Sequence, residues 1–296
     1  MESRTYTGRG RSIKPKIRNM SGGLKFTPHN HKYTSEDGID WLSVTSLISQ
    51  FKQPFDADKI AVKSSKNKKS KWYGLTPEEI KEAWKNEAKR ATDLGTWYHN
   101  QREADICGIE TMERHGVTIT VFKPIEVDGV KHSPNQKLSN GIYPEHLVYL
   151  KSAGICGQSD LVEVVDGVVH ITDYKTNKEI TVEGYTNWEG ISQKMSPPVS
   201  HLDDCHLNHY ALQLSMYMFI ILKHNPKLKP GNLTIHHILF EEAGRDRFDN
   251  PIPALDTNGD PIVTDVVQYD LPYLKQEAIS VIHWLEDNRS KLKPKY

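Results

Sequence analysis

The chain is poor in cysteine, in long apolar runs and in net charge, and each shortage closes off a class of protein. Its 3 cysteines, Cys107, Cys156 and Cys205, lie far apart and form no CxxC pair. That spacing argues against a disulfide framework and for a reducing compartment. The N-terminal residues hold no apolar signal segment, and the longest apolar run, Met216 to Leu222, falls far short of the roughly 20 residues that span a bilayer. The expectation is a soluble, cytoplasmic protein with no membrane partner. No Gly-x-x-x-x-Gly-Lys-Ser/Thr loop is present, so neither a nucleotide cofactor nor a motor of its own is expected. Basic and acidic residues balance at 38 each, and no global field announces a polyanionic partner.

Local charge says more. The stretch "KSSKNKKSKW" carries Lys63, Lys66, Lys68, Lys69 and Lys71, and the N-terminal "GRGRSIKPKIR" carries 5 more basic residues. Such runs are solvated loops and tails unless a nucleic acid is the partner, in which case they contact phosphates. Residues 1–22 read as a flexible basic tail and 23–296 as a single domain, with a helical part over 23–115, a core over 141–240 and a C-terminal strand and helix over 241–296.

The segment "GICGQSDLVEVVDGVVHITDYKTNKEI" places Asp160, Asp173 and Lys175 inside an otherwise apolar hairpin. Asp166-Gly167 is a favoured centre for a two-residue hairpin turn because both positions need positive φ. That turn sets Val165 opposite Val168, Glu163 opposite His170 and Asp160 opposite Asp173. With a side-chain period of two, Asp160, Val162 and Val164 share a face with Val169, Ile171, Asp173 and Lys175. Like charges across a strand pair repel, so something must compensate. Lys175 alone would do so as an ion pair, and a hard divalent cation would do so as a ligand-bound centre.

Further signals lie along the chain. "HKYTSEDGIDWLSVTSLISQF" reads as a hairpin turning at Asp37-Gly38 that enters a helix capped by Ser43 or Thr45. Thr76, Pro77, Glu78 and Glu79 form a helix start, and helical spacing continues to Ile106 with a break expected near Gly95. Residues 117 to 140 fit no single pattern. Strands are expected at "EHLVYL", "GICGQSDLVEVV", "VVHITDYK" and "LTIHHILF", with a helix from about Cys205 before the last of them. A turn-rich segment leads to a strand at "IVTDVVQY", and Asp270 is expected to cap a C-terminal helix with a Leu274, Ala278, Val281 and Leu285 stripe. The helix after Cys205 has an apolar stripe (Leu207, Ala211, Leu214, Met218, Leu222) beside a polar and aromatic one (His206, Tyr210, Gln213, Tyr217). His201, Cys205, His206 and His209 would suggest zinc, but a single helix cannot turn all four inward and no second cluster exists, so structural zinc is not expected.

Asp160 followed by "ITDYKT" resembles the D…(D/E)-x-K core of the PD-(D/E)XK nucleases, in particular the RecB-like exonuclease branch with its Gly-x-x-Asp and Asp-Tyr-Lys-Thr. Upstream, "LGTWYHNQRE" resembles the Gly-Thr-x-x-His helix of that branch, with His99 and Glu103 one turn apart. Glu145 in "YPEHLVYL" stands where the branch often has an acid, and "HYALQLSMYMFIIL" resembles its Gln-x-x-x-Tyr motif through Gln213 and Tyr217. The resemblance runs from Gly95 to Tyr217.

It implies an α/β fold: a restriction-endonuclease-like αβββαβ core, its mixed central sheet flanked by helices, with an N-terminal helical elaboration. It implies an ATP-independent, metal-dependent nuclease, probing DNA single strands or ends in recombination, repair or degradation, like the standalone enzymes of phages or mitochondrial genome maintenance. Asp160, Asp173, the Tyr174 carbonyl and His99 would hold Mg²⁺ or Mn²⁺. Lys175 would orient the attacking water or stabilise the transition state, Gln213 and Tyr217 would border the cleft, Glu145 would contact the metal through water, and Glu103 would orient its neighbours. Lys63, Lys66, Lys68, Lys69 and Lys71 would contact DNA. The iron–sulfur cluster of some relatives is not expected, for want of cysteines. A homo-oligomer or a recombination partner protein is left open, as is a catalytically silent DNA-binding member of the fold, although the acids and the lysine are all present.

Overall fold

Asp166 and Gly167 both take left-handed backbone, at φ 49° and 76°, and reverse the chain as a two-residue hairpin loop requires. The computed structural model describes residues 23–114, 116–133 and 135–292, so the basic tail expected over 1–22 lies outside the described residues. Before the hairpin come β1 (Leu24–Thr27), β2 (Lys32–Thr34), β3 (Leu42–Ser43), α1 (Val44–Ile48), α2 (Ala57–Lys66) and α3 (Pro77–Cys107). Next are β4 (Thr111–Arg114), β5 (Val117–Thr120), β6 (Ile125–Val127), β7 (Val130–Ser133) and β8 (Gly141–Leu150). The hairpin is β9 (Ile155–Val165) and β10 (Val168–Lys175). It is followed by α4 (His206–His224), β11 (Lys229–Phe240), β12 (Glu242–Arg245), β13 (Pro251–Pro253), β14 (Val263–Leu271) and α5 (Lys275–Asn288). The expected order of helix, three strands, helix and strand is present as α3, β8, β9, β10, α4 and β11.

The protein is mixed α/β. In the main sheet β9 pairs antiparallel with β8 and with β10, β10 runs parallel to β11, and β14 closes the far edge antiparallel to β11. The pairing of Val165 with Val168 and Glu163 with His170 is as the turn dictates. Val162, Val164, Val169 and Ile171 are fully buried in the main core, together with Leu212, Leu214, Met216 and Met218 of α4, α1 and α5. The opposite face of the hairpin packs Leu161 and Val165 against Ile106, Ile119, Val121 and Ile142. Each buried Val or Ile contributes roughly 1.5–3 kcal/mol. These apolar pairs near the turn hold the hairpin closed against the repulsion of the like charges at its open end.

Several local expectations are corrected. The chain does turn at Gly38 (φ 70°), but the strands on either side part company, β2 pairing with β1 and β3 joining β9 in parallel. Ser43 caps α1 by accepting the Ser46 amide. The N-terminal part is not only helical: β1 and β2 form a four-stranded sheet with β6 and β7, which occupy part of the stretch that fitted no single pattern. α3 runs unbroken through Gly95, started by a reciprocal Thr76–Glu79 capping box. Asp270 is not a cap but a residue of β14, opposite Thr234. At the start of α5, the Leu274 amide instead donates to Ser215 Oγ of α4 at 2.8 Å.

The turn-rich segment forms a two-stranded ribbon, β12 with β13. Its tip is tied to other elements by cations that donate to backbone carbonyls. Lys71 donates to Phe248 O at 2.6 Å, Lys178 to Asp249 O at 3.0 Å and Arg90 to Pro251 O.

Candidate metal centre

The β9–β10 ladder is regular down to Leu161 and Thr172. One step further stand Asp160 and Asp173, 9% and 1% exposed, and there the hydrogen bonding changes hands. The Tyr174 amide donates to the carboxylate of Asp160, at 2.7 Å to Oδ2. A side chain thus takes over a backbone donor where the strands part.

α3 approaches this point through Gly95. A Cβ there would stand 3.1 Å from Thr176 Oγ1, so glycine lets the helix lie against the residue after Lys175. One turn on, His99 Nδ1 lies 3.4 Å from Asp160 Oδ2 and 3.9 Å from Glu145 Oε1. His99, Glu145 and Asp160 offer ligand atoms that all lie within 4.8 Å of one another. They come from α3, β8 and β9, far apart in sequence.

Glu145 reaches the cluster at a cost in backbone conformation. It takes φ 49°, the left-handed region that L residues rarely adopt, at the step of β8 opposite Asp160. The ladder is paired on either side, Pro144 with Leu161 and His146 with Ser159. Its carboxylate accepts from Gln158 Nε2 at 2.5 Å and lies 3.6 Å from Lys131 Nζ. Lys131, 7% exposed on β7, also donates to both oxygens of Glu103 at 2.8 Å.

Electrostatics within the cluster are strongly uneven. Burial pushes the Asp173 carboxyl up to about 6, and the Asp160 charge adds to this against the pull of Lys175. Burial also raises Glu145. Asp160 is held below the usual carboxylate range: burial acts against this, but His99, Lys175 and the Tyr174 amide outweigh it. Burial disfavours the charged form of His99, yet Asp160 and Glu145 carry it up to about 10. Lys175 is likewise raised, because Asp173 and Asp160 overcome its desolvation. Its ammonium is paired with Asp173 and sits 5.0 Å from the centre of the Tyr210 ring.

The remaining expected residues fall around this centre in different ways. Tyr174 buries its ring with Tyr98 and Ile238. Gln213 Nε2 donates to the Tyr217 hydroxyl at 3.4 Å, but Tyr217 is only 2% exposed, packed on the backbone of Gly157 where a Cβ would meet its ring at 2.6 Å. The expectation that Tyr217 borders an open cleft is therefore corrected, and Tyr210 is the tyrosine of that stripe beside Lys175. The histidines weighed for zinc are otherwise engaged, His201 with Glu277, His209 with Asp204 and His206 with the Thr181 amide. The 3 cysteines are free thiols. Lys131 and Gln158 escape sequence reasoning, since a buried lysine becomes meaningful only once its acids are placed around it.

Lys63, Lys66, Lys68, Lys69 and Lys71 are exposed at the end of α2 and in the turns beyond it. A cavity of about 280 Å³ is lined by Thr176, Asn177, Lys178 and the Arg90 side of α3. It shares Glu87, Ala91 and Lys178 with a neighbouring depression that includes Lys71 and Trp72. A continuous surface path thus joins the edge of the lysine run to the residues that follow Lys175.

Comparison with protein-family models, with curated proteins and with solved structures yields no match to this chain. No helix among the described residues is long and apolar enough to cross a membrane.

Proposed function

We propose that the chain is a Mg²⁺- or Mn²⁺-dependent deoxyribonuclease of the PD-(D/E)XK superfamily, RecB-like and ATP-independent, with a restriction-endonuclease-like core. One observation carries this reading: His99, Glu145 and Asp160, drawn from three separate motifs, converge beside the Asp173–Lys175 pair. The donors suit a hard divalent cation, with carboxylate oxygens and one imidazole nitrogen. Asp173 is almost fully buried, and its close charge partner is the Lys175 ammonium. His99, Asp160 and Asp173 would hold the ion, with the Tyr174 carbonyl as the resemblance implies, and Glu145 would support them. When bound, the ion would supply positive charge to the phosphate and acidify a water.

The protein's own side chains do the rest. Lys175, paired with Asp173 at the edge of the centre, would orient the attacking water or stabilise the charge that develops on the phosphoryl oxygens. The Tyr210 ring faces its ammonium, and the Tyr210 hydroxyl is fixed by donation to Asn177 Oδ1 at 3.0 Å. The net change is the addition of water across one phosphorus–oxygen ester bond, the leaving oxygen taking up a proton. DNA would approach along the path from Lys71 past Lys178. The test is digestion of end-labelled single- and double-stranded DNA, linear and circular, with Mg²⁺, Mn²⁺ or EDTA. Metal-dependent loss of label is expected, and intact DNA under every condition would overturn the reading.

A further inference from the structure

Lys131 lies beyond every motif of the resemblance, yet it is a buried residue, 7% exposed, with its ammonium against two acids of the centre. It reaches them from β7, in the four-stranded sheet that stands outside the main one. Its Nζ is 2.8 Å from each Glu103 oxygen and 3.6 Å from Glu145 Oε2. A second divalent cation beside the first would need carboxylates from this same pair. Glu103 on α3 and Glu145 on β8 converge on one point, and a cation already sits there.

Charge counting leads to the same place. Glu103, Glu145, Asp160 and Asp173 bring four negative charges and Lys131 and Lys175 two positive ones, leaving two negative with His99 neutral as a ligand. One divalent ion cancels that remainder, whereas two would leave a buried excess of positive charge.

We infer that the centre takes a single divalent cation, because the Lys131 ammonium fills the place of a second. The inference rests on the proposed metal centre and specifies its stoichiometry. Lys131 acts as a positioning residue, holding the Glu145 carboxylate beside it and keeping Glu103 from a second ion.

The experiment is Mn²⁺ binding to the full chain without DNA, read from the loss of the free-ion paramagnetic resonance signal. The wild type is expected to bind one Mn²⁺ per chain. Lys131→Ala and the better-filling Lys131→Gln are each expected to bind two, a gain that loss of mere structural support would not produce. Two ions on the wild type overturn the inference, as does one ion on a folded variant, and the wild-type count stands even if Lys131→Ala fails to fold. A wild type that binds no Mn²⁺ removes the metal centre itself, a failure separable from a wrong count.

Discussion

Replacing Asp173 by asparagine keeps the shape of a side chain that is almost fully buried and removes one of two facing charges. The substitution is expected to reduce DNA cleavage by at least about 10²-fold, as loss of a metal ligand and its charge should. Lys175 retains Asp160 as a counter-charge, so the melting temperature should move by only a few degrees. A folded Asp173→Asn protein with wild-type rate would remove Asp173 from the site. His206 offers a test at the same scale that is independent of metal. Its Nδ1 accepts the Thr181 amide at 3.2 Å, which requires a neutral ring, and burial, assisted by Lys52, lowers its pKa. In the window between the lowered folded value and the ordinary histidine value, the unfolded chain binds the extra proton. The resulting stability is complete above the ordinary value and is lost as pH falls toward the folded one. His206→Asn preserves an acceptor without titrating. Denaturant unfolding at pH 7.5 and pH 5 should show a smaller loss on acidification for the variant than for wild type, and equal losses would refute the assignment.

At the scale of elements, α3 meets the end of the hairpin through a glycine, Gly95, that trades stability for closeness. An alanine at a helix-interior glycine ordinarily gains about 0.5–1 kcal/mol. At Gly95 the new methyl would press on Thr176 Oγ1, 3.1 Å away, and shift His99 relative to Asp160. Gly95→Ala should therefore hold or raise the melting temperature while cleavage drops several-fold, since small misplacements are costly to catalysis. Unchanged cleavage would mean that the close approach does not matter. The hairpin's register was legible in the sequence because a single Asp-Gly turn and a strict period of two leave one pairing. His99, Asp160 and Asp173 were legible because each sits in a local pattern. Glu145 was legible as a residue but not in its φ 49° backbone, which no local pattern announces, nor in the Gln158 and Lys131 contacts at its carboxylate. The strand at "KYT" was expected, but its sheet was hidden because "VKHS" carries polar side chains with no clear alternation and lies about 100 residues further on. The unbroken α3 was hidden because a lone glycine weakens a helix by less than tertiary contacts restore.

For the molecule as a whole, zero net charge leaves a polyanion to be attracted by local patches. Substituting Lys66, Lys68 and Lys69 by glutamine should weaken DNA binding by similar factors on all sequences and flatten its salt dependence. Each lost phosphate contact is worth a slope of about 0.7 in log affinity against log salt on single strands. Turnover at saturating DNA should change little. Binding isotherms across a salt series decide it, and superimposable slopes would return the run to an ordinary solvated surface. The β12–β13 ribbon forms one margin of the same surface, and Lys71, Lys178 and Arg90 hold its tip by the carbonyls of Phe248, Asp249 and Pro251. Every residue type supplies a carbonyl, so these three bonds place no demand on which side chains the tip displays. Side chains of the tip add their own demands, for Phe248 packs on Trp72 with ring centres 5.1 Å apart and the buried Asn250 donates to Asp246. A change of sequence there would therefore keep the carbonyl attachments yet loosen the tip wherever it removed one of these two pairs.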